Sequence, residues 1–139
     1  MIKIIDKLKF IKNLRDINYY KVIFTFLFIF LTFFLSRNFL EPFDLYREYF
    51  WLDIVMHTVG GFLFSTLFFY VSKREYFNFK NVFYFIMFVG ISWEIYEVVF
   101  NVMIKHQEFS GVLDTLKDLF DDTFGAWLAF VSNKNKTKI

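Results

Sequence analysis

The chain has 139 residues, enough for one domain, and 57% of them are hydrophobic, including 24 Phe. A soluble domain of this size has too little interior to bury so much apolar surface, so the composition predicts an integral membrane protein. The net charge of +2 gives no reason to expect a nucleic-acid partner, and the absence of Cys excludes disulfide and thiol chemistry.

The first predicted element is a basic amphipathic helix over residues 1–18. Five Lys or Arg side chains alternate there with Ile and Leu, a pattern typical of a helix that lies on an anionic membrane surface. A signal peptide is the other interpretation of a basic segment followed by an apolar one. We do not favour it, because the stretch after Phe33 offers no small-residue cleavage site.

Four membrane-spanning helices are predicted next, which makes the fold an all-α transmembrane bundle in a single domain. Their approximate ranges are 19–36, 50–71, 82–104 and 112–131, and a basic tail over 133–139 follows. The first three are long and apolar enough to cross a bilayer at a rise of 1.5 Å per residue. The first contains no charge from Val22 to Leu35, so we expect it to anchor and pack.

The fourth span is predicted from its periodicity, because its charged residues make its mean hydropathy too low to indicate a membrane span. On a helical wheel, one arc of roughly 140° holds its polar and small residues, at 100° per residue. These are Asp114, Lys117, Asp118, Asp121, Asp122 and Gly125. Leu and aromatic residues cover the other side, so one face suits lipid and the other a polar interior. An amphipathic helix lying on the membrane surface is the alternative.

The basic loops predict the orientation. Lys and Arg are concentrated in residues 1–18, in the connection 72–81 and in the tail. With four spans all three segments lie on one side, which the positive-inside rule makes cytoplasmic. We therefore expect a multi-pass protein of the cell (inner) membrane with both termini in the cytoplasm. Three spans would place the basic tail outside, against the rule.

Ionisable side chains lie at similar depths on three of the predicted spans. Counted from the outward ends, the depths run from about 4 to about 15 Å. The residues are Asp53 and His57 on the second span, Glu94 and Glu97 on the third, and Asp118 and Asp122 on the fourth. Their spacings of three or four put each pair on one face. We expect one polar cavity on the outward side, sealed by close helix packing at Gly60, Gly90 and Gly125.

Buried ionisable groups in a membrane cost at least ~2.5 kcal/mol each on insertion scales, so they indicate function. Several carboxylates side by side need protons or a cation, and carboxylates with one imidazole suit a divalent ion such as Mg²⁺, Mn²⁺ or Zn²⁺. The predicted metal ligands are His57, Glu97, Asp118 and Asp122. The predicted catalytic residues are Asp53 and Glu94, either of which could act as general base.

Structural interpretations of the same residues remain open. His57 could serve only as an interhelical hydrogen bonder, and the acids could form a protonated network. Asp114 could simply cap the last helix, and we expect Asp121 to pair with Lys117 four residues earlier.

The stretches Asp53-Ile-Val-Met-His57-Thr-Val-Gly60, Glu94-Ile-Tyr-Glu97 and Asp114-Thr115 with Asp118 and Gly125-Ala126 resemble, in order and spacing, those of small YjdF-like bacterial membrane proteins. The ending is also similar to VanZ-like proteins. The resemblance covers about residues 49–131. It implies a polytopic membrane fold with unassigned biochemistry, and it names no substrate.

Three functions fit these observations. The first is a metal-dependent enzyme acting on a lipid or lipid-linked substrate, although the spans carry no Arg to hold a phosphate. The second is a cation- or proton-coupled carrier. The third is a non-catalytic module that assembles with partner helices or with itself. Membrane lipids are the expected surroundings in every case.

Overall fold

The computed structural model describes residues 18–72, 76–100 and 111–134, and every regular element among them is helical. The chain order is α1 (Tyr19–Leu35, continued by a π-helical turn over Ser36–Leu40), α2 (Leu45–Glu48), α3 (Trp51–Val71), α4 (Phe79–Phe100) and α5 (Val112–Lys134). Almost all of the predicted basic helix over 1–18 lies outside the described residues. Asn18 is described, and its side chain caps α1 by accepting a hydrogen bond from the backbone N–H of Lys21.

Among the described residues, three helices are long and apolar enough to cross a membrane: Tyr19–Leu40, Trp51–Val71 and Phe79–Val99. The 21 residues of α3 rise ~31 Å, which matches a hydrocarbon core of about 30 Å. The first span continues four residues beyond its predicted end at 36. The third predicted span, α4, begins at Phe79 rather than at 82, because Asn78 accepts a hydrogen bond from the backbone N–H of Asn81.

The last helix, α5, has the opposite pattern to a helix of a soluble protein. Its exposed large apolar residues are Val112, Leu113, Leu116, Phe120, Phe124, Trp127 and Val131, and its buried residues are Asp118, Asp121, Asp122, Gly125, Ala126, Ala129 and Asn133. The polar and small residues face inward, where α5 packs against both α3 and α4. The outward-facing surface of α5 is therefore mainly apolar, and the side that faces the interior of the bundle is polar at one end.

Glycines allow this close packing. A Cβ added to Gly61 would overlap the backbone carbonyl of Asp122, and one added to Gly125 would overlap the carbonyl of Thr58. At Gly90 a Cβ would lie 2.7 Å from Leu119 and 2.8 Å from a carboxylate oxygen of Asp122. Close approach at Gly90 and Gly125 is thus confirmed. The same prediction for Gly60 is wrong: its added Cβ meets nothing within 4 Å, and the neighbouring glycine makes the contact.

The other end of the bundle is closed by an apolar core. Phe77, Val82, Ile86 and Ala126 are buried together, and several aromatic rings pack against them. The ring centroids of Phe69 and Phe77 lie 4.7 Å apart. This core joins α3, α4 and α5 and leaves the polar residues at the opposite end.

Candidate functional site

The polar residues meet because of where they lie on antiparallel helices. Asp53 is in the first turn of α3, and Glu94 and Glu97 are near the end of α4. The acidic residues of α5 lie in its first half. These parts of the three helices form the same end of the bundle, as the counted depths predict.

His57 is the centre of the cluster, and its side chain is only 8% exposed. Its Nε2 lies 3.7 Å from Oδ1 of Asp53 and 3.8 Å from Oδ2 of Asp118. Its Nδ1 lies 3.3 Å from Oδ1 of Asp122, within hydrogen-bonding distance. The imidazole therefore has two carboxylates at one ring nitrogen and a third at the other.

Lys117 joins the same two carboxylates from the other side. Its Nζ donates at 2.5 Å to Oδ2 of Asp53 and at 2.5 Å to Oδ1 of Asp118, and it lies 3.9 Å from Asp114. The ammonium and the imidazole thus face different oxygens of each carboxylate. The predicted pairing of Lys117 with Asp121 is wrong, because Lys117 has these partners and Oδ2 of Asp121 is buried without a hydrogen bond.

Among the described residues, one group has the geometry to hold a metal ion. It consists of Asp53, His57 and Asp118, and one ligand atom from each lies within 4.8 Å of the others. Ligands at about 2.0–2.2 Å from a tetrahedral Zn²⁺ are separated by about 3.3–3.6 Å. The distances of 3.7 and 3.8 Å from Nε2 are only slightly longer. The third separation, between the carboxylate oxygens of Asp53 and Asp118, is within 4.8 Å.

The two glutamates of α4 lie apart from this group. Glu97 is buried, and its Oε1 accepts a 2.6 Å hydrogen bond from the indole N–H of Trp93. Oε2 of Glu94 accepts a 2.7 Å hydrogen bond from the hydroxyl of Thr115 on α5. The six predicted site residues therefore lie near one end of the bundle, but they do not form one group. Asp53, Asp118 and Asp122 surround His57, whereas Glu94 and Glu97 contact Thr115 and Trp93.

A cavity of about 550 Å³ opens beside His57, between α1 and α4 with α3 along one side. Its polar wall includes Asp53, His57, Glu97 and Asp122. The rest of the wall is mainly apolar, with Phe26, Ile29, Phe30, Phe33, Met56, Leu63, Phe64, Ile86 and Val89. The cavity therefore has one polar end and an apolar body.

Tyr46 of α2 covers the polar end of the cavity. Its hydroxyl shares a 2.6 Å hydrogen bond with the hydroxyl of Ser36, and its side chain is buried. Burial is the main reason why the pKa of Tyr46 rises from 10.0 to about 12. No sequence pattern singles out this tyrosine, because its role depends on the turn between α1 and α3.

The pKa of Tyr46 predicts a pH dependence. The folded-state pKa lies above the unfolded value, so the contribution of this group to stability is complete below pH 10 and is lost as the pH rises towards about 12. In an alkaline absorbance titration, the difference between wild type and Tyr46→Phe should show one tyrosine that ionises near pH 12. A difference that titrates near pH 10 would contradict the buried position.

Residues 11–135 match a family described as "Predicted membrane protein (DUF2238)". No curated protein and no solved structure matches the chain. The family description states a membrane location and no reaction, and the resemblance to YjdF-like and VanZ-like proteins stays a prediction. Since the match covers nearly the whole chain, the protein belongs to the DUF2238 family of membrane proteins.

Proposed function

We propose that the protein is a membrane-embedded hydrolase that uses a divalent metal ion and acts on a lipid-like molecule. The observation that carries the proposal is the group of Asp53, His57 and Asp118 at the polar end of an apolar cavity. Side chains that could hold a metal ion are therefore adjacent to an apolar space that could receive a hydrocarbon chain.

The surroundings of His57 support its role as a metal ligand. Histidines that bind metals usually donate their second ring N–H to a carboxylate, which fixes the tautomer and the ring orientation. Asp122 is positioned to accept such a bond from Nδ1 at 3.3 Å, which leaves Nε2 free for the ion. In this proposal Asp122 orients the ligand, and Asp53 takes the ligand position predicted for Glu97.

The charges around His57 also favour a divalent cation. Asp53, Asp118 and Asp122 contribute three negative charges when ionised, and Lys117 contributes one positive charge. Negative charge is therefore in excess at this end of the bundle, and a divalent cation would offset it. Lys117 does not compete directly for the ligand atoms, because it contacts the other oxygen of Asp53 and of Asp118. One imidazole with two carboxylates suits Zn²⁺ or Mn²⁺ better than Mg²⁺.

A bound metal ion would activate water and polarise the bond to be cleaved. The proton acceptor is best assigned to Glu97, because it lines the cavity and Trp93 occupies only one of its two oxygens. Of the two residues predicted as general base, Asp53 belongs to the ligand group. Glu94 is hydrogen-bonded to Thr115 and is not part of the cavity wall.

The topology that accompanies this proposal has four spans, with both termini in the cytoplasm and the site in the outward half of the inner membrane. The exposed apolar face and buried polar face of α5 support a helix surrounded by lipid on one side and by protein on the other. The substrate would enter from the outer leaflet.

A carrier is the second candidate, because the cavity continues past Gly60 and Gly90 towards Phe64 and Ile86. An ion path needs polar groups along its length, and the wall beyond the glycines is apolar. The extension therefore fits a hydrocarbon chain better than an ion, and we favour the enzyme.

Elemental analysis of the purified protein tests the metal site. We expect about one divalent ion per wild-type chain and a strong loss in Asp118→Asn, because one ligand becomes a neutral amide. Asp121→Asn is the matched control: it alters a buried carboxylate on the same helix that is outside the group, and it should keep the metal. Equal metal content in wild type and both variants would overturn the proposal.

A further inference from the structure

A narrow cleft adjoins the polar end of the cavity. The cleft and the cavity share six wall residues: Phe33, Ser36, Tyr46, Trp93, Tyr96 and Glu97. Arg37 of the π-helical turn and Glu41 line the cleft but not the cavity, so the cleft brings a basic residue next to the shared wall. The predicted spans contain no Arg, but the turn after α1 brings one to the edge of the site.

Arg37 has donors to spare. Its Nη1 donates at 2.5 Å to Glu41 four residues later, and Glu41 is its one ion-pair partner among the described residues. The Arg37 side chain is 40% exposed, and such exposed pairs are worth at most about 1 kcal/mol. A guanidinium has five N–H donors in a planar fork that matches a phosphate. A phosphate can therefore bind Arg37 with little loss of stability.

The apolar part of the cavity limits what is attached to the phosphate. Along α3 the wall runs from Asp53 to Phe64, eleven residues or ~16 Å at the helical rise. A volume of about 550 Å³ is that of a pocket for a drug-sized molecule. It suits one hydrocarbon chain.

We propose that the substrate is a single-chain lipid phosphate monoester, with its phosphate between Arg37 and the metal site and its chain in the apolar cavity. This inference rests on the proposed function, because the ion is needed to offset the carboxylates at the polar end. With the ion in place, an ammonium headgroup would be repelled by both the ion and the guanidinium of Arg37, whereas a phosphate would be attracted by both. Hydrolysis would form a bond between a water oxygen and phosphorus and break the bond from phosphorus to the alkyl oxygen. The proton from water would pass through Glu97 to that oxygen, giving an alcohol and inorganic phosphate.

Fluorescence quenching can report the position of the chain. Trp51 and Trp127 are each about half exposed, and replacing both by Phe leaves Trp93, which lines the cavity, as the single tryptophan. The probe is a brominated alkylphosphonate, a non-hydrolysable analogue of an alkyl phosphate monoester, added to this protein in nanodiscs with Mn²⁺. We expect saturable quenching. An alkyl trimethylammonium of the same chain should not compete with it, and inorganic phosphate should compete only weakly because it lacks the chain.

Variants of the headgroup site give the decisive comparison. Arg37→Gln should raise the half-quenching concentration at least about tenfold, since it removes a charge-assisted bidentate contact. Glu41→Gln should leave it unchanged or lower it, because it frees the guanidinium. Lys80→Gln, which removes an exposed cation from the first residues of α4, is the control and should have no effect.

Three results would overturn the inference: equal quenching of wild type and Arg37→Gln, equal weakening by Glu41→Gln and Arg37→Gln, or better competition by the ammonium probe. Metal analysis of the same samples separates this failure from that of the proposed function. Arg37→Gln with full metal and unchanged quenching overturns the phosphate site alone. Equal metal in wild type and Asp118→Asn overturns the metal-dependent function itself.

Discussion

Gly61→Ala is expected to lower the free energy of unfolding by about 3 kcal/mol or more, the upper end of the range for overpacked interiors. The added Cβ would overlap the backbone carbonyl of Asp122, and no rotamer change can move a backbone atom. Relief requires α3 and α5 to separate, which would also pull His57 away from Asp118 and Asp122. Thermal or SDS-induced unfolding of the purified protein, followed by circular dichroism, measures the effect.

The adjacent glycine provides a matched control. A Cβ on Gly60 meets nothing within 4 Å, so Gly60→Ala should leave stability unchanged or raise it by up to about 1 kcal/mol through its better helix propensity. Both variants replace a glycine of α3 by alanine, and the two positions are adjacent. Equal effects of the two substitutions would contradict the contact between α3 and α5.

Lys117→Met is expected to make the stability of the protein depend on divalent ions. Removal of the ammonium leaves Asp53 and Asp118 close together with no Lys to balance them. In the presence of a chelator we expect a loss of about 1–3 kcal/mol. This is less than for a fully buried pair, because the Lys117 side chain is 37% exposed. Added Mn²⁺ should restore more stability to this variant than it adds to wild type, as thermal unfolding would show.

The control for Lys117 is Lys80→Met. Lys80 carries the same charge but lies at the other end of the bundle, over the ring of Tyr84, so its removal should not change the response to Mn²⁺. A loss of stability in Lys117→Met that Mn²⁺ does not relieve would show that the carboxylates bind no ion there.

The sequence predicts the helices better than it predicts their contacts. Long apolar runs require α1, α3 and α4, and the wheel of α5 identifies the face that is buried, because both depend on local periodicity. The pairing of Lys117 depends on Asp53, 64 positions earlier in the chain. Four-residue spacing along one helix predicts Asp121 as the partner instead, because spacing within a helix does not show which residues of the neighbouring helix lie close by.

Rotation of each helix about its own axis is the other quantity that the pattern leaves undetermined. One residue corresponds to 100°, which is why Gly61 touches α5 while Gly60 borders the cavity. The same effect separates Glu94 from Glu97, which point to Thr115 and to Trp93. Depth along a helix can be counted from sequence, and the site therefore lies at the expected end although its members are arranged differently.

The inverted pattern of α5 has a consequence for the biogenesis of the protein. Five charged residues lie between Asp114 and Asp122, and each costs about 2.5–3.5 kcal/mol at the centre of an isolated membrane helix. In the proposed four-span arrangement, this segment would need polar partners in order to enter the bilayer. His57 and the glycines of α3 and α4 match its polar face. Insertion of the last helix and assembly of the site would then be coupled.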